Sequence, residues 1–245
     1  MKTILLIISL FVANQAFADA VGLRISGGMW SYDVTGDIRD SANASDNFSL
    51  KNDLGMQEDE VFNGFVYIEH PVPILPNVRL GVTDLKLTGA GNLSAGKTWN
   101  SVPITAGPVN SSVDLSHTEI GLYYEIWDTG FDFDLGVNAK FFDGTVNISD
   151  DNSNSASSSF DETIPMLYGH IGIPLVAGFS IAGDISYISY DGDEFQDTLI
   201  RVRWDSDFLL GVELGYRSLT IDYTDGNEFV DVKVDGPYLN ATFTF

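Results

Sequence analysis

Three histidines, His70, His117 and His170, are the only side chains that titrate near neutral pH, and the 245 residues contain no cysteine. His117 is the base with a hydroxyl and a carboxylate close in sequence, Ser112 and Glu119, the group types of an ester hydrolase. Adjacent Ser116 would point to the opposite face of an extended segment and cannot serve. His70 precedes a proline-rich turn, and His170 suits a buried hydrogen-bond network. No nucleophile motif, metal-ligand spacing or phosphate loop accompanies them. The expectation is a non-enzyme without cofactor or resident metal, with a lipid hydrolase as an alternative. The formal charge of −23, from 35 acidic and 12 basic residues, leaves no basic patch for nucleic acid.

The remaining polar chemistry lies in charges that alternate with apolar residues. Phe131, Phe133, Leu135, Val137, Ala139 and Phe141 alternate with Asp132, Asp134, Gly136, Asn138 and Lys140, the period of a strand with two unlike faces. The last stretch shows the same for a pair. With Gly226 and Asn227 as the turn, Phe208 faces Phe245, Leu210 faces Phe243, Val212 faces Ala241 and Leu214 faces Leu239. All eight point one way, with Glu213, Asn240 and Thr242 on the other face. One face suits lipid and the other a polar interior.

Such runs, separated by turn residues, give about ten strands; closure requires an even count, so the alternative is eight if the second (Val61 to His70) or the eighth (Thr198 to Trp204) is misread. The predicted fold is all-β: a transmembrane antiparallel up-and-down barrel with both termini periplasmic. Polar segments Thr35–Glu60, Gly89–Ser112 and Ser149–Asp161 read as loops, the last polar enough to be mobile. Residues 1–18 read as a secretory signal peptide, with a basic start, an apolar run and Ala16-Phe17-Ala18. Residues 19–245 are then one barrel with long acidic extracellular loops. No later run approaches the ~20 apolar residues of a membrane helix, so strands must do the spanning, and the expected location is a Gram-negative outer membrane.

The final strand, with Leu239, Ala241, Phe243 and terminal Phe245, resembles the end of bacterial outer-membrane barrels, where it is an assembly signal. Gly27-Gly28-Met29-Trp30, Asp53-Leu54-Gly55 with Glu58, and Glu69-His70-Pro71 through Pro76-Asn77 are similar to a family of small proteobacterial outer-membrane barrel proteins of unassigned function, named for a Trp near paired glycines. The resemblance implies architecture and localisation, and no activity.

Strand parity turns Arg24, Arg79, Lys140, Arg201, Arg203 and Arg217 inward with Glu69, Glu119, Glu125, Asp132, Asp134, Asp184 and Glu213. Charges that balance in so narrow a barrel predict a largely closed lumen. Most acids are left for loops and rims, where they could attract divalent cations bridging to lipopolysaccharide. Toward the long-loop end the apolar parity reverses, at Trp30, Tyr32, Leu85, Leu87, Val113, Leu115, Phe142 and Ile188. In the last hairpin Leu219, Ile221 and Tyr223 oppose Val234, Val232 and Val230. The strands should therefore pass beyond the bilayer and line an apolar mouth, unless paired bulges restore the old face. The expected role is structural or surface-interacting, with lipids and the assembly machinery as partners. The alternative is a conduit or binding site for a small hydrophobic solute.

Overall fold

The computed structural model describes residues 22–72 and 74–245; the signal-peptide expectation, Val21 and Pro73 lie outside them. Fifteen strands form: β1 Gly22–Asp40, β2 Phe48–Ser49, β3 Asp59–Glu69, β4 Asn77–Thr83, β5 Lys86–Leu93, β6 Lys97–Trp99, β7 Val102–Ile104, β8 Gly107–Asp114, β9 His117–Trp127, β10 Asp132–Asp150, β11 Ser155–Pro174, β12 Phe179–Tyr190, β13 Asp193–Asp205, β14 Leu210–Asp225 and β15 Glu228–Thr244. Ten of them close a barrel in the order β1, β3, β4, β9, β10, β11, β12, β13, β14, β15 and back to β1, every neighbour antiparallel. No helix among the described residues is long and apolar enough to cross a membrane.

The outer face explains why the barrel sits in lipid. Met29, Leu122, Leu135, Ile171, Ile181, Ile200, Val212 and Leu214 all point outward and remain exposed, Val212 at 47%. A belt of this size around a whole molecule is far beyond the few hundred Å² of apolar patch that a soluble surface carries. Trp127, Phe131, Phe179, Trp204, Phe208 and Phe245 stand exposed at one edge of it, the position aromatic side chains take between lipid and water.

That edge is the turn end. The connections after β3, β9, β12's predecessor β11 and β13 are short there, and the described chain begins and ends there, Phe245 donating its amide to Leu23 O at 2.8 Å. The predicted facing of Phe208 and Phe245 is not realised. β14 starts at Leu210, Phe208 lies in the turn, and Phe245 pairs with the first strand, which closes the barrel.

At the opposite, loop end the second and third predicted loops are largely strand, and the first is strand at its two ends and at Phe48–Ser49. β1 runs on to Asp40, β10 reaches Asp150 and β11 resumes at Ser155, joined by a tight turn. The segment read as a loop over Gly89–Ser112 contains β5 to β8. Beyond the lipid a strand has no need of apolar residues on its outer face, so Ser155, Ser157 and Ser159 point out while Ala156 is buried. A polar sequence there reads as a loop although its backbone is fully paired with β10. At nineteen residues, β10 is about 60 Å long, more than twice the ~25 Å apolar band.

The family-like motifs sit at joints of this frame. A Cβ on Gly28 would lie 2.0 Å from Leu239 O, so only glycine lets β1 approach β15 there. Trp30 is fully buried and donates to Gly236 O across the same seam. Gly55 turns with φ +68 against the β5 backbone. Asn77 closes the first turn by accepting from the His70 amide at 3.1 Å.

Candidate functional site

The interior is built in levels, because residues of one parity on antiparallel strands meet at one height. Nearest the turn end is a polar vestibule of about 330 Å³ lined by Arg24, Glu69, Glu125, Asp132, Asp134, His170 and Arg203. Among the described residues Glu125, Asp132 and Asp134 join no ion pair, contrary to the expected network: Glu125 and Asp132 are exposed where their strands end at this opening, and Asp134 is buried across the ladder from His170. Arg24 reaches Glu69 at 3.6 Å, and Arg203 pairs with Asp205, at 2.8 Å.

Above it, Asp184 binds Arg201 and accepts from Tyr168 at 2.7 Å, with His170 Nδ1 at 2.9 Å. Arg201 also faces Glu213 at 3.4 Å, and Tyr238 donates to Glu213 at 3.2 Å. His170 thus occupies the network position expected from its parity.

The next level crosses the whole lumen. Arg79 of β4 binds Glu119 of β9, which binds Lys140 of β10. Lys140 binds Asp197 of β13 at 2.8 Å, and Asp197 binds Arg217 of β14 through two bonds of 2.7 and 3.0 Å. All five side chains are buried. Three cations meet two carboxylates, and the surplus positive charge lies against aromatic faces: Arg217 is 4.7 Å from the Trp30 ring and Arg79 4.5 Å from that of Phe65. Asp197 lies outside the strand expected over Thr198 to Trp204 because β13 begins five residues earlier, at Asp193; the inward parity of Leu199 and Arg201, extended back by two, reaches it.

The hydrolase geometry is not formed. His117 faces inward, its Nδ1 at 2.9 Å from Leu115 O and its Nε2 at 3.3 Å from Arg217, with the Phe142 ring tilted against it at 4.7 Å between centroids. Ser112 shares the outward parity of Ser116 and accepts a hydrogen bond from Asn147. Base and hydroxyl therefore lie on opposite faces of the sheet.

Beyond this plug the inner face is apolar. Trp30, Tyr32, Leu85, Leu87, Val113, Leu115, Phe142, Leu219, Val232 and Val234 are buried, and Ile188, Ile221 and Val230 pack against them. Tyr223 alone of the expected set is exposed, at 36%, on the rim. No bulge intervenes: β14 and β15 keep one register from Leu210↔Phe243 to Asp225↔Glu228, so the inward face changes from polar to apolar without turning over. Leu50, Leu54, Met56 and Trp99, from segments beyond the barrel, complete this core. It encloses a second cavity of about 330 Å³, bounded by Leu87, Trp99, Phe142, Phe160, Ile188 and Val230.

Among the described residues no group of three or more His, Asp or Glu is arranged to hold a metal ion. No protein-family model matches the chain, and no curated protein matches it in sequence. Among solved structures it is similar to the outer membrane protease OmpT of Escherichia coli, at 9% identity and a TM-score of 0.53, over 93% of this chain and 97% of that one. The attachment invasion locus protein Ail of Yersinia pestis aligns at 13% identity and a TM-score of 0.42, over 92% and 99%. The toluene transporter TodX of P. putida aligns at 11% and 0.31, over 92% and 89%. At such identities the first of these bears on the fold alone, and it agrees with the lipid belt and the closed ring of strands. The chain is an outer-membrane β-barrel protein. This barrel's interior is closed and charge-paired.

Proposed function

We propose that the barrel is a non-enzymatic, non-conducting membrane anchor whose role is structural or surface-interacting, presenting a rigid collar of strands beyond the bilayer. The ion-pair relay from Arg79 to Arg217 carries this reading, because it crosses the lumen from β4 to β14. In this reading the turn end is periplasmic and the loop end extracellular, Leu239 to Phe245 serves the assembly machinery, and lipid and lipopolysaccharide surround the belt. The kinship suggested by Gly27 to Trp30 and the Glu69 to Asn77 turn belongs to the same proposal. Liposomes carrying the refolded barrel should not swell in small sugars; swelling at the rate of a porin control would overturn the closed-anchor reading.

The loop-end cavity favours a second reading, a binding site for a small hydrophobic solute, since its volume lies in the range of small-molecule pockets, from about 300 Å³. In that reading the solute stops above the plug instead of passing through.

A further inference from the structure

We propose that the loop-end cavity takes a cationic amphiphile, an apolar chain ending in an ammonium-type head, with the chain in the cavity and the head at a carboxylate rim. This inference rests on the second reading above and adds the head group.

The rim is set by parity. On the strands whose inward residues are Ile38, Tyr223 and Val230, the next inward positions toward the loop end are Asp40, Asp225 and Glu228, Asp193 joins them two residues before buried Phe195, and Glu162, between Phe160 and Ile164 on β11, lines the same cavity. Glu228 lies directly opposite both Asp40 and Asp225. Like charges directly across a ladder destabilise it; such an arrangement is relieved by a bound cation. No Lys or Arg among the described residues forms an ion pair with any of these five. Arg39, the cation of the lining, is turned away: it donates to Asn47 at 3.0 Å and lies over the Phe229 ring at 5.2 Å. Below the rim the lining is mostly apolar, with Leu50, Leu87, Leu115 and Phe142 among it.

An access path is also present. β11 and β12 pair only up to Leu167↔Tyr187, yet β11 continues to Ser155 along β10 and β12 to Tyr190 along β13. The two strands part just where the lipid belt ends, at exposed Leu167. Ile164 and Ile188, one on each side of this gap, line the cavity. A chain held between them has its head beside Glu162.

Trp99 lines the cavity, which supplies a local reporter. The full barrel, in nanodiscs of zwitterionic lipid, is titrated with terminally brominated decylammonium, decanol and decanoate. The signal is the fluorescence quenching that disappears in Trp99→Phe, which removes the contribution of Trp127 and Trp204 at the lipid edge. The expected result is saturable quenching by the ammonium at concentrations roughly tenfold below those needed for the alcohol, and weaker quenching still by the carboxylate. Glu162→Gln with Glu228→Gln should bring ammonium and alcohol together. Both are exposed rim changes, and folding is checked independently by the heat-dependent gel shift. Equal affinity for ammonium and alcohol in the wild type would overturn the head-group inference while leaving an apolar pocket; absence of saturable quenching by all three would overturn both.

Discussion

Lys140 lies between Glu119 and Asp197, and each of these carboxylates also holds an arginine. Removing the lysine therefore leaves two balanced pairs, whereas removing an acid leaves buried positive charge unanswered. Asp197→Asn should destabilise the refolded barrel by about 3–5 kcal/mol, the scale of a broken buried pair, and Lys140→Met by clearly less. Urea unfolding in micelles measures both; the reverse order would refute the relay as drawn. At the rim, burial and then Asp40, Asp225 and Glu162 push the Glu228 carboxyl above its usual range. A raised acid weakens the fold at pH values above its folded pKa and ceases to do so as pH falls through it. Glu228→Gln should thus raise the melting temperature at neutral pH, and the gain should vanish in acid, below the usual carboxylate range. Asp150 behaves oppositely: hydrogen bonds from Asn154 and Thr105 hold its carboxyl well below that range, so its support of the Thr105 segment is full above the usual carboxylate range and is lost progressively as pH falls below it into strong acid. Most of these partners were legible one strand at a time, since parity alone turns Arg79, Glu119, Lys140 and Arg217 inward. Which charge meets which was not, because pairing across the lumen depends on barrel size and stagger.

At the scale of the element, β1 shows what glycine placement does. A side chain on Gly27 meets its nearest atom, Phe62 Cζ, at 3.5 Å, an ordinary contact, while one on Gly28 collides with the β15 backbone. Gly27→Ala should fold like the wild type. Gly28→Ala should cost about 1–3 kcal/mol or prevent closure of the β1–β15 seam, seen as a lower folded fraction on unheated gels; equal yields for the two would contradict the register. From Leu210 to Phe243 the last hairpin could be read from sequence residue by residue, because both arms alternate and Gly226-Asn227 fixes the turn; only the outermost pair, Phe208 with Phe245, fails. β5 to β8 could not, since short polar strands outside lipid carry no outward apolar signal. The Ser-rich stretch before Phe160 likewise reads as a loop, although β10 holds it throughout.

For the molecule as a whole, a strand about 60 Å long through a ~25 Å band makes a barrel with two functionally distinct parts. The part in lipid is filled by charge pairs and tyrosines, and the part beyond it by apolar side chains around a cavity. The reversal of inward polarity that divides them was visible in the sequence, because it appears at one height in several strands. The cavity was not, since volume depends on how Leu50, Leu54 and Trp99 fold back from segments outside the barrel. The closed lumen is the central claim, and single-channel recording of the refolded wild type in planar bilayers tests it most directly. The relay predicts a silent membrane after insertion, at any holding potential that the bilayer tolerates. Steady, reproducible conductance steps would mean that the plug does not seal the barrel, and would make transport its function.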